Sequence, residues 1–246
     1  MSLMVLGAFL AAVGLGDLGR ADHGPVSGRR QLAVVATGAV LLGTFLLWAG
    51  DSGLGAIALL VGLVAAHTGW VVATSAALAV GGPAARGWRT AAFASLGVGA
   101  AISLLGVGAL EPWVEWPTWL RDTALGHWPA ADVMVSAGAV LLQLATGNLL
   151  VRLVLDAVGV PAVTNEKRLK GGRLLGPMER IFIVGLGHIG EVTAAAIVVA
   201  AKGLLRFPEI QAGVKEGPSD VTEYFLIGSF TSWLIGLAGV ALIYLA

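Results

Sequence analysis

Runs of about twenty apolar residues recur along nearly the whole chain, and this recurrence constrains the fold more than any motif does. A helix rises about 1.5 Å per residue, so one such run crosses a hydrocarbon layer roughly 30 Å thick. About seven runs can be drawn, near Ser2–Gly16, Gln31–Ala49, Gly53–Val80, Thr90–Leu110, Ala131–Val158, Glu179–Ala201 and Val221–Ala246. Short polar loops join them and leave no room for a soluble domain. The expected fold is therefore an all-α, polytopic transmembrane helix bundle of about seven spans, one domain over residues 1–246. Charged residues make up only 12% of the chain, against about 25% in soluble domains.

The lipid bilayer is thus the expected partner, with a second copy or a membrane subunit as the other. Zero net charge points away from nucleic acid, and the lack of cysteine removes disulfides and thiolate metal sites. No cofactor or metal is expected. The first run has no basic segment before it and no small-x-small cleavage pattern, so it reads as a retained helix.

Positive charge gives the expected orientation. Arg20, Arg29 and Arg30, then Arg86 and Arg89, then Lys167, Arg168, Lys170 and Arg173 occupy alternate loops. The positive-inside rule places these on the cytoplasmic face of a bacterial inner membrane, with the N-terminus outside and the C-terminus inside. The loop from Glu111 to Pro129 carries Trp113, Trp116, Trp119 and Trp128. Indoles settle at headgroup depth, which predicts a short element lying in the outer interface, or alternatively a lid over a cavity. Glycine pairs such as Gly53/Gly55, Gly97/Gly99 and Gly106/Gly108 read as close helix packing.

Ionisable groups inside apolar runs are functional candidates, because exposing them to lipid is costly. His67 reads as a neutral histidine bonded to a neighbouring helix. Asn148, Arg152 and Asp156 are spaced by four and share one helical face. Arg180, His188, Glu191 and Lys202 fall within a sector of about 80° at 100° per residue. With the inner boundary near Val158 and Arg180, an Asp156–Arg180 ion pair is expected at the edge, and an Asn148–His188 contact about 12–15 Å deeper. Arg152 and Glu191 then need each other, Glu179 or a neighbouring subunit. These groups either lock the bundle, with Arg152 and Lys202 snorkelling, or form a His188–Glu191 proton relay or cation path.

The stretch Ile181–Gly190 spells G-x-G-x-x-G, but a dinucleotide fold needs a parallel sheet that the surrounding chain cannot supply. Its three glycines can instead kink the sixth run or fold it into a re-entrant hairpin, which would reverse the C-terminus. Three blocks carry a resemblance: Gly-Arg-Leu-Leu-Gly-Pro-Met-Glu-Arg ending at Arg180, Ala-Ala-Lys-Gly-Leu-Leu-Arg-Phe-Pro-Glu-Ile ending at Ile210, and Glu-Tyr-Phe-Leu-Ile-Gly-Ser-Phe-Thr-Ser-Trp ending at Trp233. Together they resemble the C-terminal part of a family of uncharacterised, mainly actinobacterial multi-pass membrane proteins, over residues 170–233. The resemblance implies that Glu179, Arg180, Lys202, Arg206, Glu209, Glu223 and Tyr224 belong to a shared pattern. It implies no reaction.

The functional expectation is a channel- or transporter-like bundle for a small ion or solute. A partner-binding scaffold is the alternative. A membrane-embedded enzyme ranks third, since no zinc motif or Ser/His/Asp spacing is present.

Overall fold

The structure is a computed structural model that describes residues 2–20, 25–49, 53–106, 115–160, 172–191, 193–201, 203–204 and 220–246. Among these residues every regular element is helical. The main helices are α1 (Ser2–Leu18), α2 (Gly28–Trp48), α3 (Leu54–Val80), α4 (Arg86–Leu105), α5 (Ala130–Leu144), α6 (Thr146–Ala157), α7 (Gly172–His188) and α8 (Asp220–Tyr244). A further helical stretch covers 193–201. Among the described residues four helical stretches are long and apolar enough to cross a membrane: Gly28–Trp48, Leu54–Val80, Pro83–Leu105 and Thr222–Tyr244. The pair α5–α6, bent by 49°, makes a fifth if it counts as one span.

The sequence reading of about seven spans exceeds this for two reasons. The first run stops at Leu18 after 17 residues, and the sixth is cut in two. The cut is a backbone decision. Gly190 has φ +82°, the left-handed conformation that costs a glycine nothing. The Gly190 N–H donates to the Gly187 carbonyl at 3.0 Å and the Glu191 N–H to that of Leu186 at 2.8 Å. This paired pattern is the Schellman termination, which satisfies end carbonyls and stops a helix.

The shortest run is the central helix. In α1 eleven residues are buried, from Met4 through Asp17, whereas the longer α2 buries five. A helix apolar on every side belongs in the interior. It packs backbone to backbone on α5: a Cβ at Gly138 would stand 2.3 Å from the Gly7 carbonyl oxygen, and one at Gly14 would stand 2.7 Å from the Leu141 carbonyl carbon. Small residues at such crossings let two helices approach where packing, not water, holds them together. Of the glycine pairs singled out in the sequence, Gly99 does this against Phe9, whereas Gly97 faces open space.

These contacts also fix helix directions. Gly7 against Val135 and Gly14 against Leu141 make α1 and α5 parallel, while Gly69 on Ser95 and Gly62 on Ile102 set α3 antiparallel to α4. Gly228 lies near Val151 and Leu155, and Gly239 near Gln143, so α8 runs against α5–α6. Gly236 meets Ile183 and Val240 meets Gly187, so α7 and α8 are parallel. Helix α7 therefore ends, and α8 begins, at opposite ends of the bundle. The bundle has a basic end, where α2 and α4 begin beside Arg29, Arg30, Arg86 and Arg89, and a tryptophan end. At the latter, Trp48 stacks on Trp116 with ring centroids 5.3 Å apart. The first residues of α1 and the last of α8 both lie at the tryptophan end, which corrects the expectation of termini on opposite sides.

Candidate functional site

Halfway along the bundle, a layer of buried polar side chains flanks the α5–α6 break. Counted from helix ends at the basic end, Trp70, Thr146, Arg180 and Ser232 lie about 12–18 Å inside. The break sits at Ala145, whose φ and ψ of −122° and −48° leave the helical ladder. The last four carbonyls of any helix lack an internal partner, and in α5 Gln143 is one of these. Its oxygen accepts two bonds from Arg180, from Nε at 3.1 Å and from Nη2 at 2.6 Å. Arg180 also donates from Nη2 to Asn148 Oδ1 at 2.8 Å and from Nη1 to Ser232 Oγ at 2.9 Å. Only glycine fits beside this guanidinium: a Cβ at Gly147 would stand 2.6 Å from Arg180 Nε.

On the other side of the break, Asp17 closes the end of α1. Its carboxylate accepts Arg20 Nη1 at 3.1 Å, the Trp70 indole N–H at 2.9 Å and Thr146 Oγ1 at 2.8 Å. Arg20 donates in turn to Thr74 Oγ1 at 2.7 Å. Both charged side chains are fully shielded from solvent. Among the described residues Arg20 Nε and Nη2 have no hydrogen-bond partner, nor has Nδ1 of the nearby His67. His67 Nε2 lies 3.3 Å from the Val34 carbonyl, the neighbouring-helix contact that the sequence suggested. Gly38 makes room for that ring, since a Cβ there would meet Nε2 at 2.4 Å.

Asp156 lies away from this layer, at the basic end. It pairs with Arg89, not with Arg180, and accepts the Gly82 N–H at 2.8 Å. Arg89 also reaches the Gly82 carbonyl at 2.7 Å. Gly82, at φ +59°, turns both backbone groups toward the pair. The expected Asp156–Arg180 and Asn148–His188 pairings are thus replaced by Asp156–Arg89 and Asn148–Arg180. His188 and Glu191 are exposed at the turn that ends α7, level with Val240, and do not join the layer. Arg152 and Glu179 are half-buried, Glu223 is exposed and Tyr224 half-buried. Lys202, Arg206 and Glu209 lie outside the described residues, as does Trp113.

Asp17, Thr146, Gln143 and Ser232 were not singled out by sequence reasoning. The available signal was at Asp17: an acid three residues before Arg20, closing a run with no other charge. The Arg180–Ser232 bond brings together the first and third C-terminal blocks. Comparison with protein families, curated proteins and solved structures gave no match, so the resemblance remains one of motifs.

Proposed function

We propose that the chain is an integral protein of the bacterial cytoplasmic membrane, and that its mid-depth polar layer is a transporter-like site for a small ion or solute. The observation that carries this reading is the broken α5–α6 span, bracketed by buried Asp17 and Arg180. Discontinuous helices near the bilayer midplane, with charges turned toward the break, are how many transporters build their binding sites. Two arginines and a carboxylate are a costly way merely to hold helices together, since apolar residues of similar size do that as well or better. Basic residues at the ends of α2 and α4 support a cytoplasmic basic end.

The test is flux in proteoliposomes for protons, monovalent cations and small anions, with Thr146→Val as the variant. That change removes one Asp17 contact at nearly constant volume. The proposal expects flux above protein-free vesicles and a several-fold change in the variant. Absence of flux across the whole panel favours the second reading, a structural membrane subunit. That reading has its own support, because every Arg180 nitrogen already has a partner within the bundle.

A further inference from the structure

A groove of about 390 Å³ runs beside α1 near the tryptophan end. Its floor is the α1 stripe Ala8, Ala11, Ala12 and Leu15, where three small side chains leave the depression. Leu41, Thr44 and Phe45 of α2 form one wall, and Met134 of α5 stands on the other side. Trp48, Trp116 and Trp119 close the end. The polar atoms nearby are directed elsewhere. Thr44 Oγ1 turns back onto its own helix, 2.9 Å from the Val40 carbonyl. The Trp48 and Trp116 indoles donate to the backbone carbonyls of Glu115 and Trp128, at 3.0 and 2.7 Å. What they present to the groove is ring carbon.

We propose that this groove holds one acyl chain of a membrane glycerolipid, with the headgroup against the Trp116–Arg121 segment. The groove opens beside α2, which is apolar enough to lie in a bilayer, so hydrocarbon borders it. The lining offers almost no polar atoms, which disfavours an aqueous solute. From Leu41 to Trp48, and from Ala8 to Leu15, the walls run seven residues, about 10 Å. That is roughly two thirds of one leaflet of a 30 Å core. Above the indoles stands the ion pair of Arg121 with Glu115, both exposed, at the depth where tryptophan and headgroups meet. The inference rests on the membrane reading and is independent of transport.

Two measurements on the full chain test it. Native mass spectrometry of the detergent-purified protein should retain about one phospholipid per chain. In bilayers containing phosphatidylcholine brominated at mid-chain, tryptophan quenching should saturate at low mole fraction of the brominated lipid. Trp48→Phe should remove part of that saturable component, the rest coming from Trp116 and Trp119. Ala11→Phe, which fills the floor, should reduce both readouts at least twofold, and Thr44→Phe does the same from the wall if the first variant fails to fold. Quenching that merely rises in proportion to brominated lipid, or that is unchanged in a folded groove-filling variant, overturns the proposal. A protein that enters bilayers without saturable quenching sinks this inference alone. One that never partitions into bilayers sinks the membrane reading as well.

Discussion

Arg20 and Arg180 are both wholly buried at similar depth, yet they are held in opposite ways. Arg20 has a counter-charge in Asp17 and, among the described residues, leaves two nitrogens without partners. Arg180 places its nitrogens on two side-chain oxygens and one backbone carbonyl at the helix break. The first is stabilised chiefly by charge, the second by hydrogen-bond geometry. A buried cation is thus accommodated either by an anion or by a set of aimed dipoles. The second arrangement also caps a broken helix, which a carboxylate could not do.

The largest effect expected is at Asp17. Asp17→Asn leaves the Arg20 charge uncompensated and should cost about 3–5 kcal/mol, as breaking one side of a buried pair does. Adding Arg20→Gln should recover more than half of that loss in a double-mutant cycle read by unfolding in detergent. If the second change adds to the damage instead, the two arginines are not different in kind. Arg180→Met should cost about 2–4 kcal/mol, from four interhelical bonds at roughly 0.6–1.7 kcal/mol each less some apolar compensation. Arg180→Lys keeps the charge without the fork and should recover less than half of it. Full rescue by lysine would show that charge, not geometry, holds the break.

Smaller effects probe the frame around the layer. Gly138→Ala drives a methyl group into the Gly7 backbone and should cost about 1–3 kcal/mol. Arg89→Gln takes a buried guanidinium from a partly exposed carboxylate and from the Gly82 carbonyl, and should cost about 1–2 kcal/mol with only weak dependence on salt. Gly97→Ala meets nothing within 4 Å and should be neutral or stabilising by up to about 1 kcal/mol.

The helical class was legible in the sequence because apolar runs this long have few other solutions. The polar partners were legible only in part, and one displacement explains the errors. Arg180 reads as an edge residue if the sixth run begins beside it. Helix α7 in fact starts at Gly172, two turns earlier, which carries Arg180 about 12 Å deeper. At that depth it is level with Asn148, while His188 moves out to the tryptophan end and Asp156 is left for Arg89. The Gly-rich approach to α7 hid its start, since glycine and proline argue against helix while burial of one face overrides them. Asp17 escaped notice because an acid beside Gly16 and Gly19 resembles a loop residue. The end of α7 at Gly190 was visible as a glycine cluster, but only long-range contacts such as Gly187–Val240 fix the direction of α7 against α8.

Central placement of the first helix has a consequence during synthesis. Asp17 leaves the ribosome 129 residues before Thr146. At about 5–20 residues per second, that separation is roughly ten seconds. Through that interval the nascent carboxylate lacks one of its three donors, and the glycine face of α1 has no α5 to close on. The buried face of α1 must therefore stay sheltered until residue 146 has been made.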